Sequence, residues 1–243
     1  IGSRATLARA VAYAADPTTE DASASAEQGA DVISCSLGPN GANWVMESVL
    51  QDAIDFATSQ GRGGKGAPLF WAVSNGNFAV KHDEVCSYAS TIAVGRSSRM
   101  DLEDGSAFGP ELDFLAPGVE VYSTRQGNRY GFSTGTSYAT PCAAGVAALV
   151  LAVEPQLSGQ ELRDRLRATC DKIGPLPYQG TAFGGRNDTY GFGRINAELA
   201  LGGASSTSGP SSSSVAARGA ASRAKSGKKI ARSSAKTKGR KQA

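Results

Sequence analysis

Short apolar runs that alternate with helical patterns are the feature that most restricts the fold of this 243-residue chain. Runs of this length, rich in large apolar residues, are typical of strands that a parallel sheet buries on both faces. An amphipathic helix is predicted from Trp44 to Gly61, between the first two runs. The alternation predicts an α/β fold that is doubly wound, a mostly parallel sheet with helices on both faces. The predicted buried strands are Asp31–Ser36, Pro68–Val73 and Thr91–Gly95.

The region before the first buried strand has a weaker pattern. Arg4–Tyr13 mixes apolar and polar residues, and we interpret it as a further strand. Thr18 or Thr19 is expected to cap a short helix that continues to Gln28.

The second half of the chain is predicted to hold two short strands and two helices. The strands are Leu112–Leu115 and Val119–Tyr122, and the first helix is Tyr138–Val153. That helix is shorter than the roughly 20 residues that cross a bilayer, so no membrane span is expected. A capping box that joins Ser158 to Glu161 begins the next helix.

Charge is divided unevenly along the chain. Residues 203–243 hold ten of the 25 Lys and Arg residues and none of the 22 Asp and Glu residues. This segment is mostly Ser, Ala, Gly, Lys and Arg, so it cannot bury enough apolar surface to fold, and we predict a disordered tail. Two roles stay open: a basic arm that contacts nucleic acid or another anionic surface, and a solvated extension. No aromatic residue accompanies the charges, which favours the extension.

Metal and thiol chemistry are restricted by composition. The single histidine, His82, rules out a metal site with several histidines. Any mechanism that needs a histidine base must use His82 or residues outside this chain. The four cysteines include no Cys-x-x-Cys pair, which argues against zinc and thioredoxin-like sites and leaves the disulfide state open. No metal site is predicted from the residues.

The segment Phe132–Pro141 carries the strongest chemical signal. Ser137 lies where a glycine-containing turn enters the predicted helix, and backbone amides at a helix N-terminus favour developing negative charge. This position suits a nucleophile whose own N–H helps to form an oxyanion hole. A Ser/Thr-rich helix cap is the alternative. Small polar residues also follow two predicted strands, at Ser36–Gly38 and Ser74–Gly76, where ligands bind in such folds.

Five segments, in order along the chain, resemble the subtilases, the subtilisin-like serine peptidases. The segment Gly135–Pro141 reads Gly-Thr-Ser-Tyr-Ala-Thr-Pro and is similar to the family's Gly-Thr-Ser-Met-Ala-Ser/Thr-Pro nucleophile motif. The resemblance implies a subtilisin-like peptidase domain over residues 1–202 and a serine endopeptidase activity. The other four segments are Asp31–Gly38, Ala72–Asn75, Gly109–Gly118 and Tyr190–Asn196.

The resemblance also implies roles for individual residues. Ser137 would attack the scissile carbonyl, and the Asn75 side chain with the Ser137 N–H would hold the oxyanion. Asn77 is a second candidate for the amide, because Gly76-Asn77 also matches the family's Gly-Asn pair. Ser36, Leu37 and Gly38 would pair with the substrate backbone as an added strand.

An acidic residue is expected near the pocket for the substrate residue before the cleaved bond. By resemblance, the segment Lys81–Glu84 approaches that pocket, and Asp83 there would favour Arg or Lys in the substrate. A solvated charged loop is the alternative.

Two residues that a subtilase needs are not found. The family carries an Asp before Ser/Thr-Gly and a His before Gly, both ahead of the segment Asp31–Gly38. Here His82 precedes an acid, and Asp104 precedes Gly105-Ser106, the wrong order. We expect the chain to begin just after the missing segment, without the first strands of the sheet. Loss of the base costs about 10⁶ in turnover in subtilisin, a member of the family, so the fragment alone is predicted to be nearly inert.

The alternative prediction is a protein of another class, a non-catalytic subtilase-like domain that binds peptides or proteins. Ser137 and Asn75 are needed for catalysis and not for binding, so their joint presence favours the enzyme. The sequence upstream of Ile1 would separate the two. Calcium and secretion are implied by the resemblance alone, and no residue here assigns a calcium site.

Overall fold

In the part of the chain that the structure describes, four parallel strands form the central sheet. A computed structural model of the chain describes residues 3–38 and 43–202. The strands are adjacent in the order in which they occur along the chain, and each pairs in parallel with the next. The predicted α/β fold with a mostly parallel sheet is therefore confirmed. The strands are β1 (Ile33–Cys35), β2 (Leu69–Ala72), β3 (Thr91–Ser97) and β4 (Phe114–Pro117).

Helices cover both faces of this sheet. Alternate residues of β2 show the division, because Leu69 and Trp71 face one apolar cluster and Phe70 faces the other. The first cluster contains the buried residues of α1 and α2, and the second contains those of α3, α4 and α5. The buried strand segments need this double cover, since both of their faces are apolar. The helices are α1 (Arg4–Ala15), α2 (Ser48–Gly64), α3 (Thr136–Val153), α4 (Gly159–Ala168) and α5 (Ala197–Ala200).

The predicted strand at Arg4–Tyr13 is wrong, because this segment is the helix α1. Ser3 caps the helix by accepting a hydrogen bond from the Thr6 N–H at 3.3 Å. The buried residues Ala8, Val11 and Ala15 recur every three or four positions, which is the helical period. The many alanines also favour a helix over a strand.

The predicted helix between Thr18 and Gln28 is also wrong. Two isolated 3₁₀ turns, Pro17–Thr19 and Ala26–Gln28, replace it. Each turn has its own cap, Asp16 for the first and Ser25 for the second. Local side-chain caps of this kind compete with a continuous helix.

Helix α2 begins later than predicted and ends where predicted. Trp44 is extended and forms a bridge to Asp83, so the helix starts at Ser48. The backbone leaves helical geometry at Gly61, with φ −53° and ψ 157°. Arg62 then turns inward and donates to the carbonyls of Leu157 and Pro155.

Helix α3 is the central helix of the second apolar cluster. Among residues 3–38 and 43–202, it is the one helix with the length and hydropathy to cross a membrane. Its buried residues, from Ala139 to Leu151, pack against the sheet together with Phe70 and Phe114. These contacts are those of a core helix in an α/β fold.

A β-hairpin that the sequence did not reveal precedes α3. Strands β5 (Val121–Arg125) and β6 (Arg129–Ser133) are antiparallel, whereas the sequence pattern predicts only a short strand at Val119–Tyr122. Neither strand contains a buried residue, so the hairpin lacks the apolar runs that mark the central strands. The other predicted strand is confirmed with a shift, since β4 begins at Phe114. The predicted capping box of Ser158 and Glu161 is present at the start of α4.

A buried carboxylate anchors α4 to the sheet. The Asp113 side chain is fully buried, and Arg163 donates to both of its oxygens, at 2.9 and 2.8 Å. Arg167 donates to Oδ1 at 2.7 Å, and the Ala93 N–H donates to Oδ2 at 2.9 Å. The two arginines of α4 thus share one acid beside β3.

Replacing Asp113 by alanine is expected to lower the free energy of unfolding by about 3–5 kcal/mol, because two arginines would lose their buried counter-charge. Urea denaturation of the chain measures this change. Asp188→Ala is the matched control, since its ion pair with Arg186 is exposed and is expected to contribute at most about 1 kcal/mol. Equal losses for the two variants would contradict the prediction.

The predicted basic tail, residues 203–243, lies outside the described residues.

Candidate active site

The carboxyl ends of β1 and β2 meet the N-terminus of α3 at one edge of the sheet. A cavity opens there, and every residue predicted from the sequence as a first choice for the site lines it. Parallel strands end at the same edge, which is why residues distant in sequence converge. The six residues are Ser36, Leu37, Gly38, Asn75, Asp83 and Ser137.

Ser137 is the second residue of α3 and its side chain is exposed at the cavity. Backbone N–H groups in the first turn of a helix have no partner within the helix, so this N–H is available to a ligand. The Ser36 hydroxyl donates to the Ser137 carbonyl at 3.1 Å and ties the end of β1 to the helix.

Glycines allow the close approach that exposes Ser137. The Gly135 N–H donates to the Gly118 carbonyl at 2.9 Å. A Cβ at Gly118 would lie 2.6 Å from the Arg96 Cβ and 2.9 Å from the Gly135 oxygen, too close for any side chain. The chain after β4 therefore packs directly under the start of α3.

The orientation of the Asn75 amide is fixed by its partners. Its Oδ1 accepts from the Thr136 N–H at 3.0 Å, the Thr136 hydroxyl at 3.3 Å and Arg96 Nη1 at 2.5 Å. Because the backbone N–H and the guanidinium can only donate, the amide oxygen must face them and Nδ2 faces the other way. Asn77, the second candidate, is exposed and is not among the described residues that line the cavity.

Arg96 is a site residue that the sequence reasoning missed. It lies near the end of β3, and its side chain is 13% exposed. Its Nε and Nη2 pair with Asp104 Oδ1 at 3.1 and 3.0 Å, while Nη1 reaches Asn75. One signal could have indicated it, since a charged residue directly follows the apolar run Thr91–Gly95.

Asp83 is buried, unlike its charged neighbours. Its side chain lies at the cavity, whereas Lys81, His82 and Glu84 are exposed. Asp83 Oδ1 accepts from the Val85 and Cys86 N–H groups at 3.1 and 3.0 Å. Burial raises the pKa of this carboxyl, and these hydrogen bonds oppose the rise. No lysine or arginine of the described residues forms an ion pair with it.

His82 does not join the cavity in the described part of the chain. It ends a 3₁₀ turn, its side chain is exposed, and its carbonyl accepts from the Trp44 N–H. The structure thus offers Ser137 no histidine from this chain.

No cysteine lines this cavity in the described part of the chain, although the Cys86 thiol donates to Asp83 Oδ2 at 3.2 Å. All four cysteines are free thiols, and burial raises the pKa of Cys35 to about 12. A thiol with such a pKa stays protonated and is a poor nucleophile. Among residues 3–38 and 43–202, no three His, Cys, Asp or Glu residues cluster as metal ligands would.

The fold and the cavity define an α/β protein with a candidate serine nucleophile at the carboxyl edge of its sheet. A family-wide sequence model, that of the subtilase family, matches residues 2–193. The chain therefore belongs to the subtilase family.

Curated relatives agree with this assignment. The calcium-dependent protease of Nostoc sp. is 37% identical over 218 residues, which cover 72% of this chain and 33% of the relative. Subtilisin DY of Bacillus licheniformis is 36% identical over 179 residues, covering 72% of this chain and 58% of the relative. Subtilisin E of Bacillus subtilis is 36% identical over 175 residues, covering 70% of this chain and 40% of the relative. The chain spans between a third and three fifths of the length of these relatives.

Proposed function

We propose that this chain carries the nucleophile and the oxyanion hole of a serine endopeptidase. The observation that carries the proposal is that Ser137 and Asn75 line the same cavity. The Asn75 oxygen accepts hydrogen bonds from Thr136 and Arg96, so Nδ2 is directed away from these donors. The histidine base and its aspartate partner would come from sequence outside these 243 residues.

In the proposed reaction, Ser137 Oγ bonds to the carbonyl carbon of the substrate while its proton passes to the histidine base. The carbonyl oxygen becomes an oxyanion, which accepts from the Ser137 N–H and from Asn75 Nδ2. The histidine then returns the proton to the leaving amine as the peptide C–N bond breaks. Water attacks the acyl-enzyme by the same steps and releases the second product.

The segment Ser36–Gly38 is proposed to hold the substrate backbone. Trp71 Nε1 donates to the Leu37 carbonyl at 2.7 Å, so that carbonyl is already used. The backbone groups of Ser36 and Gly38 would pair with an extended peptide, since alternate residues of a strand present theirs to the same side.

Asp83 is proposed to select a basic residue before the cleaved bond. A buried carboxylate without a cation is costly, and a substrate guanidinium or ammonium would supply the missing charge. Asp83 Oδ2 accepts from the Cys86 thiol at 3.2 Å, and an ideal Cβ at Gly38 would lie 3.7 Å from this oxygen and 3.4 Å from the Trp44 ring. We place the substrate cation beside Oδ2, on the side that Gly38 and the Trp44 ring border. The substrate class would be proteins or peptides cleaved after Arg or Lys.

Calcium enters no step of this proposal. One relative is named a calcium-dependent protease, which makes a calcium site elsewhere in the whole protein reasonable. Contact of the basic tail, residues 203–243, with an anionic partner is a separate proposal that rests on the charge of this segment.

Labelling with a fluorophosphonate tests the function directly. The proposed parent chain, a longer chain that also carries the Asp and the His, should be labelled at Ser137, because only an activated serine reacts rapidly. The 243-residue chain alone should label far more slowly, because it lacks the base. A folded parent that contains the Asp and His but does not label would exclude this mechanism and favour the peptide-binding domain.

A further inference from the structure

We infer that Arg96 is a positioning residue that holds the oxyanion-binding amide of Asn75, an inference that rests on the proposed function. Arg96 does not line the cavity with Ser137, as far as the described residues show. It acts on the reaction only through Asn75, whose Oδ1 it contacts at 2.5 Å.

The amide of an asparagine rotates easily about its last torsion, so something must select one orientation. Thr136 supplies two neutral donors to Asn75 Oδ1, and Arg96 supplies a charged one. A reversed amide would place its NH₂ group against the guanidinium and the Thr136 N–H, donor against donor. The Thr136 hydroxyl can also accept, so it does not select between the two orientations. Of the two groups that can only donate, Arg96 forms a charge-assisted bond, about twice as strong as the neutral bond from the Thr136 N–H, so Arg96 provides the larger part of this selection.

The same contact should strengthen Asn75 as a donor. The positive guanidinium beside the amide oxygen draws electron density from the amide nitrogen, and hydrogen bonds in such chains reinforce each other. Nδ2 would then bind a developing oxyanion better than a free amide does.

Arg96 is itself held in place for this task. Asp104 binds its Nε and Nη2, which leaves Nη1 for Asn75. Its backbone N–H donates to the Ser106 hydroxyl at 2.9 Å, and strand β3 pairs with β4 at Ala116. The guanidinium therefore extends from a rigid strand and not from a loop.

Kinetics of the parent enzyme test this role. Arg96→Met should lower kcat roughly 10-fold with little change in KM, less than the ~10²–10³-fold loss expected when the oxyanion donor itself is removed. Arg96→Lys should recover part of kcat, because an ammonium also donates to Oδ1. The matched control is Arg62→Met, which removes another buried arginine that bonds to carbonyls outside the cavity.

A double-mutant cycle separates positioning from simple destabilisation. In an Asn75→Ala background, Arg96→Met should cause no further loss of kcat, since the amide it positions is gone. Two results would overturn the role of Arg96 and leave the proposed function standing. One is an unchanged kcat in Arg96→Met. The other is an equal loss of kcat from Arg96→Met with and without the Asn75 side chain. A wild-type parent without activity or labelling would overturn the proposed function and this role together.

Discussion

Replacing Ser137 by alanine in the parent enzyme is expected to lower kcat by about 10⁶, while the KM for a peptide substrate changes little. The magnitude is the one known for subtilisin, a relative of this chain. The physical reason is that the proposed acyl-enzyme path needs the hydroxyl, whereas the proposed pairing of the substrate with Ser36 and Gly38 does not. Hydrolysis by the variant should still be faster than the uncatalysed reaction in water, because the proposed oxyanion donors stay in place.

The measurement is steady-state hydrolysis of a chromogenic peptide, together with fluorophosphonate labelling. Ser59→Ala is the matched control, since Ser59 is exposed on α2 and its hydroxyl donates to the Asp55 carbonyl, outside the cavity. A Ser137→Ala enzyme that kept its kcat would show that another group attacks the substrate, and the assignment of Ser137 would be wrong.

Replacing Asp83 by asparagine is expected to change the substrate preference of the parent enzyme. Removing one partner of a buried charge pair costs about 2–5 kcal/mol, so kcat/KM for a substrate with Arg before the cleaved bond should fall about 30- to 5,000-fold. A substrate with Leu there should be cleaved as well or better, because the buried charge no longer opposes it. The side chains are nearly the same size, so the pocket keeps its shape.

Paired substrates that differ only in this residue provide the measurement. Glu84→Gln is the matched control, an exposed neighbouring acid whose side chain accepts from the Met46 N–H. Equal losses for the Arg and Leu substrates in Asp83→Asn would indicate a structural role for Asp83 and contradict the proposed selectivity.

The pH dependence of the same ratio gives an independent test. The proposed preference for Arg requires ionised Asp83, so the ratio of kcat/KM for Arg to that for Leu should be high above the Asp83 pKa and fall below it. Because burial raises this pKa, the fall should begin at a higher pH than an ordinary aspartate would give. The ratio cancels the titration of the histidine base, which affects both substrates alike. Asp83→Asn should make the ratio independent of pH.

The buried strands and the nucleophile region could be predicted from the sequence because both depend on local patterns. Runs such as Pro68–Val73 are apolar throughout, and this pattern is typical of a strand that is buried on both faces. Once the strands are taken as parallel, their carboxyl ends must meet at one edge. The grouping of Ser36–Gly38, Asn75 and Ser137 follows from that topology, before any distance is measured.

The segments that were predicted wrongly have weak or mixed patterns. Arg4–Tyr13 could be a strand or a helix by its apolar residues alone, and packing of Ala8, Val11 and Ala15 against the core decided for the helix. The hairpin β5–β6 is mostly exposed, so burial left no apolar run in its sequence.

The sequence by itself determined the class of fold and the residue types that chemistry at this edge requires. Only the tertiary structure decided where Asp83 and Arg96 lie relative to the cavity. Asp83 is buried where Trp44, far away in sequence, pairs with its backbone, and Arg96 meets Asn75 because β2 and β3 are neighbours in the sheet. Sequence periodicity records which face of an element is apolar. The ionisation of an acid and the partner of a guanidinium depend on atoms that other segments bring to them.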